Sequence, residues 1–428
     1  MFTSLATIVL RERLHKIREL IRRLPAPTVK PEPPAEPPPS TARALVLSGG
    51  GARSSYQAGV LQYIAEVFPE TRFSILTGVS AGAINTAHLA NHTGSFRQAA
   101  DELAKHWYSI TADQVFEPES AMSLSRRILG KSINRKHPSE SVIRIEEGTA
   151  LLNTTPLRVF LTGILNPVDG ELTGVAQNIE QDRLKAACIT ATNYSTGQSV
   201  TWVQGCDIQN WQRPNRVGIH TPLTIDHIMA STALPLLFPA VRVDNAWYGD
   251  GGIRLTSPLS PAVHLGATSI LVISTRYARS RREADEPVVI GYPPAAQVMG
   301  LLMNAIFLDM LDQDAHNMRL INDIVRHLPP SHRRDLRPIK LFMMRPSVDL
   351  GKLASEYELK VGGAFRLLTR GLGTEETKSP DWLSMMLFQD EYIDRLVEIG
   401  WEDARRQHHQ IARFLDDAVL TMVDGVEG

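Results

Sequence analysis

Two kinds of apolar segment alternate along the chain. Short continuous runs at residues 44–48, 73–77, 157–163, 188–192, 269–275 and 339–344 have the length and composition of buried strands. Longer segments at 54–67 and 81–91, and later at 295–328 and 392–423, read as helices. Strand and helix by turns is the signature of an α/β protein with a mainly parallel central sheet flanked by helices. The first forty residues break this pattern. Residues 1–10 are uncharged and mostly apolar, and from Arg11 the chain turns basic through Arg13, Lys16, Arg18, Arg22 and Arg23. Leu10, Leu14, Ile17, Ile21 and Leu24 recur at spacings of four and three, the stripe of an amphipathic helix. Its basic residues follow the apolar run, the reverse of a secretory signal, and the run is too short to span a bilayer. Such a helix packs on protein or lies on an anionic membrane surface. Residues 25–39 are dominated by proline and predict an extended, semi-rigid spacer. Residues 118–148, rich in Ser, Arg, Lys and Glu, read as a solvated insertion in preference to a basic cap over the site.

Two of the strand-to-helix junctions carry chemistry. Residues 44–48 run into Gly49-Gly50-Gly51, and residues 73–77 run into Gly78-Val79-Ser80-Ala81-Gly82. In the second, small residues frame a serine as in a nucleophile elbow, where a sharp turn lifts the hydroxyl above the strand end. Ser80 is the candidate nucleophile. The first supplies closely spaced backbone N–H groups with no side chains in the way, as a developing oxyanion requires. A partner base is offered by Trp247-Tyr248-Gly249-Asp250-Gly251-Gly252, read as a tight loop presenting Asp250. Asp-Gly alone is a common turn dipeptide, so this assignment draws its weight from the serine elbow.

The 428 residues are 43% hydrophobic and 21% charged with a formal net charge of −1, enough for a large core and without a global pull towards nucleic acid. Two cysteines, Cys188 and Cys206, exclude a disulfide scaffold or a thiolate zinc cluster and point to a reducing compartment.

From Arg43 to about Arg345 the chain resembles the patatin-like phospholipase family. Gly49-Gly50-Gly51-Ala52-Arg53 with Tyr56-Gln57-Ala58-Gly59-Val60-Leu61 is similar to its oxyanion loop and the helix that follows. Thr77 through Asn85 is similar to its elbow. Ala230-Ser231-Thr232-Ala233-Leu234-Pro235 with Phe238-Pro239, and then Tyr248 through Gly252, resemble its Asp-Gly-Gly segment. The resemblance implies a patatin-like three-layer fold, no cofactor or metal, and a Ser-Asp dyad. Ser80 attacks an ester carbonyl, Asp250 takes its proton, Gly49, Gly50 and Gly51 form the oxyanion hole, and Gly78 and Gly82 frame the elbow. Arg53 places an anionic head group or orders the loop, against the plainer reading of a solvated residue at a helix start. The expected organisation is a basic amphipathic helix at 1–24, a Pro-rich linker at 25–41, a catalytic domain at 42–346 and a C-terminal helical region at 347–428. The expected substrates are phospholipids or lysophospholipids, and the expected place is the cytoplasm, with a peripheral contact at the inner face of a membrane through 1–24. One departure stands out: the family's oxyanion motif ends in glycine where this chain has Ser54, which either takes helical angles or reshapes the loop.

Other chemistries fit less well. His264, His316, His327 and His332 follow the acid in chain order and could complete a triad, but His264 reads as a packed or surface residue and His408-His409 as solvent-facing. A dinucleotide site lacks its third spaced glycine at Ser54, a metal-ligand signature is absent, and malonyl-loading acyltransferases use a histidine partner. A catalytically weak lipid-binding or scaffold protein on the same fold is the alternative, with Ser54 as its support.

Overall fold

Alternate side chains of the first strand, Arg43–Leu47 (β1), point to opposite faces and seed two cores. Leu45 and Leu47 enter one, Ala44 and Val46 the other. The computed structural model describes residues 42–118, 150–285, 298, 301, 309–333, 336–357 and 381–416, all within one compact unit, Thr41–Gly428. The expected N-terminal helix and proline spacer lie outside the described residues, as do the insertion beyond Pro118 and the end of the chain after Asp416.

A 3-10 turn, Gly51–Ser54, and a helix, Ser55–Val67 (α1), follow β1; then come Ile75–Val79 (β2), Ala81–Asn91 (α2) and Phe96–Ser109 (α3). Next are the helices Thr155–Leu165 (α4) and Thr173–Glu180 (α5), and the strands Ala186–Asn193 (β3), Ser199–Gly205 (β4), Trp211–Arg213 (β5) and Arg216–His220 (β6). Ile225–Ser231 (α6), Val241–Val243 (β7), Ala246–Asp250 (β8), Ser260–His264 (α7) and Ser269–Ile273 (β9) lead to a long helix described from Asp309 to His327 (α8). Lys340–Met344 (β10), Leu350–Ser355 (α9), Asp381–Met386 (α10), Asp390–Arg406 (α11) and His408–Leu415 (α12) complete the order.

The central sheet runs β10-β9-β1-β2-β3-β4-β6-β5, with β8 joined to β3 and β7 to β8. Its heart from β10 to β3 is parallel; β3–β4, β3–β8, β7–β8 and β5–β6 are antiparallel. Helices α1 to α4 and α11 cover one face, and α7 and α8 the other, which gives the three layers. Helix α11 lies along α1, with Gly59 of α1 against the Val397 carbonyl and Gly400 of α11 against the Tyr56 carbonyl. None of the helices among the described residues is long and apolar enough to cross a membrane.

The strands expected at 44–48, 188–192, 269–275 and 339–344 are present, and the one expected at 73–77 begins two residues later. The segment 157–163 is a helix and not a strand. Pro156 sits in its first turn, where a missing N–H costs nothing, and Leu157, Leu161 and Leu165 are buried one turn apart. Residues 392–423 form two helices in their described part, broken at Gln407, and His408 is not solvent-facing: it stacks on Phe68 at 5.4 Å and meets the Tyr63 hydroxyl at 3.0 Å through Nδ1.

Candidate active site

Sheet register brings the two halves of the site together. Val79 at the end of β2 pairs with Thr190 of β3, and Asp250 at the end of β8 pairs with the next β3 residue, Ala191. β8 therefore takes up the β3 edge where β2 leaves it, placing Asp250 beside the residue that follows Val79. That residue is Ser80. Asp250 thus closes a strand; it is not presented by a free-standing loop as its flanking glycines suggested.

Ser80 has φ 54 and ψ −134, a conformation that L-residues avoid, immediately before α2 begins. Hydrogen bonds on both sides hold it there. Its N–H donates to Ser231 Oγ at 2.9 Å, Ser231 donates in turn to the Thr190 carbonyl at 2.6 Å, and the Ser80 carbonyl accepts from Ala83 N–H at 2.8 Å. The elbow glycines are needed for space: a Cβ on Gly82 would overlap the Leu47 and Ser48 carbonyls, and one on Gly78 the Thr86 hydroxyl and the Gly82 carbonyl.

The glycine loop lies against this elbow, with the Cβ position of Gly49 only 2.9 Å from Ser80 Cβ. Its carbonyls are tied outwards: Thr275 Oγ1 donates to Gly49 O at 2.6 Å, Gln57 Nε2 to Ser48 O at 2.8 Å, and Arg53 N–H to Gly50 O at 3.2 Å. Among the described residues no acceptor is bound to the N–H groups of Gly49, Gly50 or Gly51. Gly51 has φ 56 and rests on the Met385 carbonyl, so a side chain there is excluded twice over. Ser54 takes helical angles, φ −71 and ψ −10, so the departure from glycine leaves the loop in ordinary geometry; its hydroxyl is fully buried without a hydrogen-bond partner. Arg53 is 3% exposed, which rules out the solvated reading. Its Nε donates to Ser384 Oγ at 2.5 Å, and the side chain does not line the cleft.

Asp250 is completely buried. Its N–H donates to Ala233 O at 2.8 Å and its carbonyl accepts from Thr192 Oγ1 at 2.8 Å, which fixes the backbone on both sides. Oδ1 accepts from Gly252 N–H at 2.9 Å, while Oδ2 has no partner at hydrogen-bonding geometry. Burial pushes the carboxyl up to about 7, against the opposing pull of the Ser80 hydroxyl and the Gly252 N–H. A carboxyl poised near neutrality beside a serine hydroxyl is suited to accept its proton.

A cleft of about 610 Å³, counting its open mouth, begins at Ser80 and Gly51. Ile84 of α2, Leu103 and Trp107 of α3, and Phe160 and Ile164 of α4 form much of its wall, and Phe388 stacks parallel to Trp107 at 6.5 Å. The ring N–H of Trp107 is turned away to Asn85 Oδ1 at 2.8 Å. Among the described residues His106 is the one ionisable side chain in the lining, and burial lowers its pKa. None of the histidines later in the chain lines the cleft, and His264 instead stacks on Trp211 at 5.2 Å. Thr192, Thr275 and the 385–388 segment carry no sequence signal, and Ser231 stood out only as a member of the 230–235 motif without a role, because their contributions depend on contacts across tens to hundreds of residues.

The patatin-like phospholipase family profile matches residues 45–263. A cGAMP-activated phospholipase of Pseudomonas aeruginosa (strain BWHPSA011 / Pa011) is 26% identical over 221 residues, 51% of this chain and 54% of that protein. Calcium-independent phospholipase A2-gamma of Rattus norvegicus is 24% identical over 226 residues, 52% of this chain and 26% of the relative. The match thus spans about half the length of the bacterial relative and a quarter of the rat one. Among solved structures, human GIVD cytosolic phospholipase A2 in complex with methyl gamma-linolenyl fluorophosphonate aligns at a TM-score of 0.43 and 14% identity, over 87% of this chain and 59% of that one. The matched span holds the glycine loop, the serine elbow and the Asp-Gly-Gly turn in one fold, and it covers half of the sequence: the chain belongs to the patatin-like phospholipase family.

Proposed function

We propose that this protein is a serine lipid acyl hydrolase working through a Ser80–Asp250 dyad. The observation that carries the reading is a fully buried Asp250, raised to about 7 and influenced by the Ser80 hydroxyl, where Ser80 lines an apolar cleft. The acyl chain of an ester occupies the cleft. Ser80 Oγ attacks the carbonyl carbon as its proton passes to Asp250, and the resulting oxyanion accepts hydrogen bonds from the N–H groups of the Gly49–Gly51 loop. Asp250 returns the proton to the leaving alkoxide, leaving an acyl-serine. Water then attacks the acyl carbon, giving its proton to Asp250, and collapse restores Ser80 and releases the carboxylic acid.

The apolar lining suits a long hydrocarbon chain, and phospholipids or lysophospholipids are the proposed substrates. The amphipathic segment at 1–24, tethered by the proline-rich linker at 25–41, is proposed as a peripheral contact with an anionic membrane, beside a catalytic domain at 42–346 and a C-terminal region at 347–428. The helical geometry of Ser54 weakens the case for a disabled scaffold. A lipid panel with product identification, run on the native chain, Ser80→Ala and Asp250→Asn, tests the proposal. Loss of all ester turnover in both variants, with phosphonate labelling confined to Ser80, is the expected result. Native turnover in Ser80→Ala would end it.

A further inference from the structure

The geometry assigns Ser384, more than a hundred residues beyond the family-matched span, as a positioning residue that holds the glycine loop through Arg53. The inference rests on the hydrolase reading above. Three contacts make the case. Ser384 and Arg53 are both buried, and the guanidinium Nε donates to the serine hydroxyl at 2.5 Å across 331 residues of sequence. The next residue, Met385, places its carbonyl against Gly51, with its Cα 3.1 Å from where a Gly51 Cβ would stand. Arg53 in turn closes the 3-10 turn by donating its own N–H to Gly50 O at 3.2 Å. Helix α10 thus grips the loop from outside at Arg53 and supports it from beneath at Gly51.

The orientation of the Gly50 and Gly51 N–H groups is what this grip controls. Gly50 and Gly51 both have positive φ, and without side chains they have little local preference for one peptide orientation. Their direction must come from outside the loop. On one side Thr275 fixes the Gly49 carbonyl; on the other, α10 is the support. Arg suits the task because its planar fork can hold one geometry while buried. Ser384 itself does not line the cleft, whereas Met385, Met386 and Phe388 do, so the same short segment separates two roles by residue.

Loss of the Ser384 hydroxyl is therefore expected to act on the transition state and not on chain binding. With a long-chain 4-nitrophenyl ester, Ser384→Ala should lower kcat by at least about tenfold with KM within about twofold of native, since misplaced oxyanion donors cost rate and not ground-state affinity. Ser384→Thr, which keeps the acceptor, should recover most of the rate. Arg53→Lys, which loses the fork, should reproduce the defect, and the double variant with Ser384→Ala should be no worse than either single one. Melting temperatures report whether each variant is folded, and the Ser384→Thr comparison carries the test if Ser384→Ala is not. Native kcat in Ser384→Ala, a rise confined to KM, a rate in Ser384→Thr no better than in Ser384→Ala, or multiplicative losses in the double variant would each overturn the assignment. Failure of the native chain to cleave any ester would instead overturn the hydrolase reading.

Discussion

Replacing Asp250 by asparagine is expected to destroy activity and stabilise the fold, with the second effect absent near pH 4 and growing to its full size above pH 7. Burial raises the folded-state pKa from the carboxyl's ordinary 3.8 to about 7. The native state therefore holds its proton more tightly than the unfolded chain. Between pH about 4 and 7 the unfolded carboxyl is ionised while the native one is not, so native stability falls as pH rises through that window and levels off above it. At about 1.4 kcal/mol per pKa unit the full cost approaches 4 kcal/mol by pH 8. With an unfolding entropy near 2 cal/mol/K per residue, that corresponds to a gain of about 5 °C in Tm for Asp250→Asn at pH 8, shrinking towards zero at pH 4. The asparagine oxygen can keep the Gly252 N–H bond, so little is lost in exchange.

Kinetics should track the same titration. Native kcat/KM is expected to rise about tenfold per pH unit below pH 7 and to flatten above it, because only the ionised carboxylate accepts the Ser80 proton. Calorimetry and a soluble ester assay between pH 5 and 8 read both curves on the same protein. A variant that melts below native at pH 8, or a flat rate profile across the window, would refute the account of Asp250 as a buried base.

Ser54→Ala removes a fully buried hydroxyl without a partner and should raise stability by up to about 1 kcal/mol without loss of turnover; a fall in kcat would mean the hydroxyl acts in the loop. Leu236 is 71% exposed with φ 68, so Leu236→Asn should raise Tm by relieving left-handed strain at no packing cost, and a lower Tm would show that the side chain contributes to stability. Gly51→Ala drives a methyl group into the Met385 carbonyl and should cost activity far more than Gly163→Ala on α4, where no atom lies within 4 Å; equal effects would deny the loop its close packing.

Local signals made the reacting groups legible and left their supports hidden. The elbow at Ser80 and the glycine loop are steric necessities written in adjacent residues, because the end of β1 passes so close to the start of α2 that only glycine fits at Gly82. Asp250 could be picked out by its glycines, yet their meaning differs from that expected: Gly249 makes room for the Tyr194 ring and Gly251 for the Thr190 carbonyl, both consequences of β8 pairing with β3. The strand expected at 157–163 failed because a short apolar run has no clear period, and its helix proved to be a cleft wall. Arg53 was open to a head-group, loop-ordering or solvated role because nothing near it in sequence announces Ser384.

The division follows from energetics. Ser80 sits at a strained backbone angle, Asp250 holds a carboxyl away from solvent, and Ser54 buries an unpaired hydroxyl, all within one short stretch of space. Each opposes folding, so a local sequence preference could not maintain them. What holds them is a set of bonds from distant elements, Ser231 to Ser80, Thr192 to the Asp250 carbonyl, Thr275 to Gly49 and Ser384 to Arg53. A strained residue persists only where its surroundings over-determine it, so the residues that bear the cost of this site must lie far away in the chain. Destabilising any one of them is therefore expected to harm catalysis before it unfolds the protein.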